Sequence, residues 1–305
     1  MAEYRLLTYR DGRNPVAGVL VGDRVYSAAA LLRGTSIDAS SVKALLGTWA
    51  NAHRALAKAA AKIKSADGKP LKRVKLLAPV LYPDGLFCAG ANYWDHMEEM
   101  ARAQGRSVDR STRPDGPWFF LKTSMHSIIG PNAPAKLPTR SHQVDWEAEL
   151  GVVIGKPAHN VPVGRALGAV AGYTIINDLS ARDLMLRKDR PPVMAYDWIG
   201  QKCFDDASPM GPWITPAAFL KNPGNLAIKL WVNGVLKQNS NTNQLIHNVA
   251  EQVSWLSYQL TLRPGDVIAT GTPAGVGMPR GEFLKKGDVV KIEIEGCGTL
   301  TNRMA

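Results

Sequence analysis

Val144-Asp145-Trp146-Glu147-Ala148-Glu149-Leu150-Gly151-Val152-Val153-Ile154-Gly155 is the stretch that most constrains the fold. Its second half is as apolar as a buried strand. Residues two apart in a strand point to the same face, so Glu147 and Glu149 are expected side by side. Adjacent carboxylates repel, and to be tolerated next to apolar chain they need a cation, a shared proton or solvent. A hard divalent ion such as Mg²⁺ or Mn²⁺ takes oxygen ligands of this type. The competing reading is an edge strand with a wet acidic face.

Downstream, Gly172-Tyr-Thr-Ile-Ile-Asn-Asp178-Leu-Ser-Ala-Arg182-Asp183 repeats the theme of an apolar strand that ends on a carboxylate. Asp178 there is either a ligand at a strand end or an ordinary N-cap for a helix over 180–187. Upstream, Asn92-Tyr-Trp-Asp-His96-Met-Glu-Glu99 reads as helical. Positions i and i+3 share a helix face, so Glu99 can orient the His96 imidazole and raise its basicity, as a water-activating base requires. A surface histidine beside a glutamate is the bland alternative. Lys202, in Gly200-Gln-Lys-Cys-Phe, either neutralises a developing enolate or reaches solvent. Thr270-Gly-Thr-Pro-Ala-Gly-Val-Gly277 lacks both the Walker lysine and the dinucleotide spacing, so phosphate binding is rejected. Its glycines and Thr272 are expected to let backbone and hydroxyl approach a small ligand.

Around these segments the chain is globular in composition, with 305 residues, 45% of them apolar and 21% charged. Residues 3–26 read as short strands, and helices are expected over 27–32 and from Ser41 to about Lys64. A polar break at 65–70 and apolar strand-like chain over 74–81 follow. That pattern predicts a small N-terminal α+β domain (1–75) and a β-rich domain (76–305), with further helices at 95–104 and 246–262. Val249, Val253, Leu256 and Leu260 in the last of these form a packing stripe. Cys88, Cys203 and Cys297 are too dispersed for a zinc knuckle or a disulfide framework. The charge of +11 is concentrated between Arg54 and Lys75 and reads as a solvated helix face, not a nucleic-acid patch. Neither a secretory leader nor a membrane span is expected, which points to the cytoplasm.

Taken in order, these segments resemble the fumarylacetoacetate hydrolase family over about residues 80–305. The resemblance rests on E-x-E-L-G-V-V at Glu147 to Val153, D-x-S-A-R-D at Asp178 to Asp183 and K-x-F-D at Lys202 to Asp205. It continues with V-N-G at Val232 to Gly234 and G-D-x-I-x-T-G-T-P-x-G-V-G at Gly265 to Gly277. The resemblance implies an α+β, predominantly β fold of mixed sheets rolled around the site. It implies Glu147, Glu149 and Asp178 as ligands of Mg²⁺ or Mn²⁺, with Ca²⁺ able to stand in within a crystal. It further implies His96 and Glu99 as the water-activating dyad, Lys202 facing an enolate, and Lys122, Arg182 and Thr272 as substrate contacts. A homodimer is the implied assembly. Where many relatives carry Gln this chain has Met185, and 186–198 matches no family feature; that stretch is expected to shape the pocket.

The expected reaction is hydrolysis of a carbon–carbon bond in an acylpyruvate or related 1,3-diketo acid. Keto–enol tautomerisation, isomerisation, or decarboxylation of an oxaloacetate-type acid on the same site is the alternative, and a non-catalytic basic binding protein is the remote one.

Overall fold

The structure, a computed structural model, describes residues 2–63, 68–220 and 222–305. Its largest element is a twelve-stranded mixed sheet. Nine of its strands run in the order Arg24–Ser27, Asn14–Val21, Arg5–Asp11, Ser208–Pro216, Val170–Asn177, Ala148–Ile154, Val267–Ala269, Leu86–Gly90, Trp118–Leu121. Pairing is antiparallel except at Val267–Ala269, which lies parallel to Leu86–Gly90, and at Ile128–Ile129, parallel to the start of Ser208–Pro216. A five-stranded sheet (Val235–Asn241, Ala227–Val232, Val289–Ile294, Gly298–Met304, Pro134–Ala135) packs beside it, and neither sheet closes into a barrel.

Every residue of Ala148–Ile154 and of Val170–Asn177 is buried. Leu150, Val152 and Ile154 join a core shared with the five-stranded sheet and the helix Val249–Gln259. Val153, Ala171 and Ile176 face the opposite way, into a core shared with Leu6, Leu45, Leu46 and Leu56 of the N-terminal segment. Burial on both faces is what a continuous apolar run, without polar alternation, requires. The turns at Gly265-Asp266 and Gly287-Asp288 launch strands Val267–Ala269 and Val289–Ile294. Helix Val249–Gln259 is capped by Asn248 and Glu251 in a reciprocal box and buries Val249, Val253 and Leu256.

The first three strands form as read. Arg5–Asp11 also pairs with Ser208–Pro216 through Leu6 and Ile214, so the large sheet runs across residue 75 without a break. The helix expected from Ser41 is two helices, Val42–Gly47 and Trp49–Ala60, divided at Thr48. Lys64 and the polar break 65–67 lie outside the described residues. Over 74–81 only Lys75–Leu76 is strand, held against Tyr9 and Arg10. No helix spans 180–187. Ser180–Ala181 pairs instead with Val144–Asp145, which commits that backbone to a ladder, and a single 3₁₀ turn, Arg182–Leu184, follows.

Candidate active site and metal centre

The strand register creates the site. Ala148 lies opposite Asn177, and the Asp178 N–H donates to the Glu147 carbonyl at 2.9 Å, so these two acids meet where the paired strands end. Glu149 sits two residues further along the Ala148–Ile154 strand. Glu147, Glu149 and Asp178 are all buried, and each offers an oxygen within 4.8 Å of the others. Asp178 caps no helix; its side chain accepts from lysines.

Three cations face this cluster. Lys202 Nζ donates to Glu147 Oε2 at 2.9 Å and Asp178 Oδ2 at 2.8 Å. Arg182 spans Glu147 Oε1 at 2.5 Å and Asp145 Oδ2 at 3.0 Å. Lys122 Nζ donates to Asp178 Oδ1 at 2.5 Å and to the Leu179 and Ala207 carbonyls. Burial alone would raise the Glu147 pKa, but Lys202 and Arg182 outweigh it and hold that carboxyl well below the usual range. Burial likewise disfavours the charged Lys202, and Asp178 and Glu147 reverse the effect and raise its pKa. Among the described residues no cation hydrogen-bonds Glu149. Burial, then Asp178 and Glu147, push its pKa well up, against the opposing Gly271 N–H, at 2.8 Å, and the more distant Lys202 charge.

The glycine-rich loop performs a task that its sequence does not announce. Its amides grip the protein's own carboxylates: Gly271 holds Glu149, Gly275 holds Glu99 at 2.8 Å, and Gly277 holds Asp145 at 2.6 Å. Gly271 and Gly275 have φ of 101° and 106°, which side chains other than glycine rarely adopt. Thr272 Oγ1 accepts from Gln238 Nε2 at 2.9 Å.

Helix Trp94–Ala103 docks against this loop, with Asp95 accepting from Ser240 Oγ at 2.5 Å and from the Ala274 N–H. His96 Nδ1 stands 3.9 Å from Glu99 Oε2, just beyond hydrogen-bond reach, and has no partner among the described residues. Glu99 also receives Arg280 at 2.8 Å. Burial raises the Glu99 pKa, but His96, Gly275 and Arg280 together bring it below the ordinary value.

A cavity of about 180 Å³ is lined by His96, Glu147, Glu149, Arg182, Lys202 and Thr272, six of the nine residues singled out from sequence. Lys122, Asp178 and Glu99 stand outside its lining: Lys122 and Asp178 are fully buried beneath the floor, and Glu99 is behind His96. Lys122 thus has its donors on Asp178 and two carbonyls. A larger groove of about 620 Å³ contains none of the three carboxylates. Sequence reasoning missed Asp145, which anchors Arg182, and Arg280, which anchors Glu99. It also missed Gln201, whose buried Oε1 has no donor among the described residues, and the aromatic wall of Trp118, Phe120, Tyr196 and Trp198. The stretch 186–198 does shape the pocket, through Tyr196 and Trp198.

The sequence model for the C-terminal domain of fumarylacetoacetate (FAA) hydrolases matches residues 85–305, which include the whole carboxylate and lysine cluster. The chain belongs to the fumarylacetoacetate hydrolase family. It is 42% identical over 231 residues (75% of this chain, 68% of the relative) to a mitochondrial oxaloacetate tautomerase of Xenopus laevis. Among solved structures it is similar to a 2-hydroxyhepta-2,4-diene-1,7-dioate isomerase from Mycobacterium marinum, with 31% identity, TM-score 0.72 and coverage of 99% and 98% of the two chains. It is also similar to a maleylpyruvate hydrolase from Sphingobium sp. SYK-6 in complex with manganese(II) and pyruvate, with 28% identity, TM-score 0.75 and the same coverage. The family site therefore hosts hydrolases, isomerases and tautomerases. No described helix is long and apolar enough to cross a membrane.

A divalent ion fits the residues of this family site. The donors are hard carboxylate oxygens, and Glu149, which no cation among the described residues hydrogen-bonds, is one of the three. This has a thermodynamic consequence. A pKa raised on folding gives stability that is complete below the unfolded value of about 4.5 and is lost as pH rises through the folded value. In chelator, Tm is expected to fall as pH rises above the ordinary carboxylate range. Metal competes with the proton on Glu149, so at one fixed concentration of Mg²⁺ or Mn²⁺ the gain, about 2.7 kcal/mol at a hundredfold excess over Kd, is greater at pH 8 than at pH 5. In Glu149→Gln both the pH slope and the metal gain shrink. An undiminished metal gain in that variant would remove Glu149 from the ligand set.

Proposed function

We propose that this chain is a divalent-metal-dependent enzyme that acts on a small anionic 2-keto acid by way of an enolate, with carbon–carbon hydrolysis of an acylpyruvate as its reaction. The observation that carries the reading is the single cavity in which His96, Glu147, Glu149 and Lys202 converge, with Asp178 directly beneath, bonded to Lys202. Glu147, Glu149 and Asp178 would hold the ion, Mg²⁺ or Mn²⁺. When bound, it supplies Lewis-acid charge for the keto-acid head. Lys202, fixed between Glu147 and Asp178, places an ammonium where enolate charge develops, so its stabilisation grows toward the transition state. His96, backed by Glu99, takes the proton of the attacking water and returns it to the departing enolate carbon. Lys122 fixes Asp178, and Arg182 with Asp145 fixes Glu147, so the acids are oriented before substrate arrives.

Keto–enol tautomerisation is the second reading, favoured by the 42% identity to an oxaloacetate tautomerase. It uses the same enolate and needs only one proton shuttle, a role open to His96. A panel of acylpyruvates and oxaloacetate, each with Mg²⁺, with Mn²⁺ and with chelator, decides between them by product. Pyruvate plus a new carboxylic acid, formed only with metal, is the expected result. An enol-to-keto change without change of mass would establish tautomerisation, carbon dioxide would indicate decarboxylation, and turnover unaffected by chelator would refute the proposal. The proposal includes a homodimer in the cytoplasm, without nucleic-acid binding. Sedimentation and cell fractionation test the first two, and duplex retention tests the third.

A further inference from the structure

Beyond the carboxylates the cavity wall changes character. Trp118, Phe120, Tyr196 and Trp198 line the same space as Glu147 and Lys202. Their rings form one continuous run: Tyr196 to Trp198 at 4.2 Å, Trp198 to Phe120 stacked at 4.9 Å and 14°, and Trp198 to Trp118 at 4.9 Å. Trp118 and Tyr196 nevertheless remain 52% and 43% exposed. Large open rings beside a cavity are surface that gains from being covered by a flat apolar group. Lys202 joins the two ends of the cavity, since its Nζ bridges Glu147 and Asp178 and lies 4.9 Å from the centre of the Phe120 ring. A ligand whose acidic head reaches Lys202 therefore runs its tail along the rings.

The nature of that tail follows from what the wall lacks. Ring faces carry negative quadrupole density and do not welcome an anion. Lys202 and Arg182, which line this cavity, already donate to Glu147, Asp178 and Asp145. At about 180 Å³ the space is below the roughly 300–1,000 Å³ of drug-sized pockets, which limits the tail to one ring or a short conjugated chain. Gly90 contributes by its lack of a side chain, because a Cβ there would run into the Trp118 indole.

We propose that the substrate's end remote from the keto-acid head is planar, unsaturated and uncharged, an aryl or conjugated alkenyl group stacked on Trp118, Trp198 and Tyr196. This rests on the keto-acid reading above and names the class of tail. The test is equilibrium binding, by calorimetry with saturating Mg²⁺, of phenylpyruvate, 2-oxobutanoate and 2-oxoglutarate, with oxalate as a head-only control. Phenylpyruvate is expected to bind about tenfold tighter than the other two keto acids, the equivalent of one or two aromatic contacts. In Trp118→Leu, a half-exposed position whose loss should leave folding intact, and in Gly90→Ala, that preference falls to under about threefold, while oxalate binding is unchanged. Equal or tighter binding of 2-oxoglutarate, or a preference that survives both substitutions, would overturn the inference while oxalate still binds. Failure of oxalate itself to bind would remove the keto-acid reading and this inference with it.

Discussion

His96→Ala is expected to lower kcat by about 10²–10⁴-fold, the usual worth of a positioned acid–base group, with Mg²⁺ or Mn²⁺ affinity unchanged. His96 is on helix Trp94–Ala103, touches none of the three carboxylates by hydrogen bond, and lines the cavity from the opposite element. Its Nδ1 is 3.9 Å from Glu99, and such contacts commonly shorten when substrate binds. The Gly275 N–H and Arg280 hold Glu99 in place, so the imidazole is the partner that adjusts. Glu99→Gln keeps one acceptor oxygen, for either the Gly275 N–H or Arg280, turns the other into an amide N–H₂ that cannot accept, and removes the carboxylate charge behind His96, so a loss of kcat smaller than that of His96→Ala is expected. Steady-state kinetics beside metal titration check this. A fully active His96→Ala protein would leave the hydrolytic reading without its base.

Lys202→Met is expected to cost about 10²–10³ in kcat, comparable to the loss of one preorganised donor at a developing oxyanion. It also has a folding signature. Removing one partner from a buried ionic network leaves charge uncompensated, at about 3–5 kcal/mol, and here Glu147 and Asp178 both lose a donor. Added Mg²⁺ should recover much of the lost Tm, because it neutralises the same carboxylates, yet turnover should stay low. Lys202→Arg should not rescue turnover, since a planar fork cannot occupy the position of a compact ammonium between two acids. Full recovery of turnover by metal alone would show that Lys202 serves only to balance charge.

Much of this site was legible because its chemistry is written in short strand-borne motifs. Glu147, Glu149 and Asp178 are positioned by the ends of two fully buried, mostly apolar strands, and an apolar run bounded by acid is visible without a structure. What escaped was set by long-range pairing. Arg182 was expected in a helix, but Ser180–Ala181 pairs with Val144–Asp145 and turns the arginine toward Asp145 and Glu147. Lys122 was expected at the substrate, and no local pattern announces that it is buried under Asp178 by carbonyls 57 and 85 positions away. The glycine loop read as a ligand cradle because glycine permits close approach in general, whereas its amides are spent on Glu149, Glu99 and Asp145. The aromatic wall joins residues about 80 positions apart, and its two halves carry no shared signal.

The most direct test of the account is enolate formation itself, independent of the final product. Pyruvate is incubated with the protein in D₂O, with Mg²⁺ or with chelator, and deuterium at C3 is followed by NMR. The account predicts metal-dependent exchange, lost in Glu149→Gln and strongly reduced in Lys202→Met. Absence of exchange above the metal-only control, or exchange that persists in chelator, would contradict it.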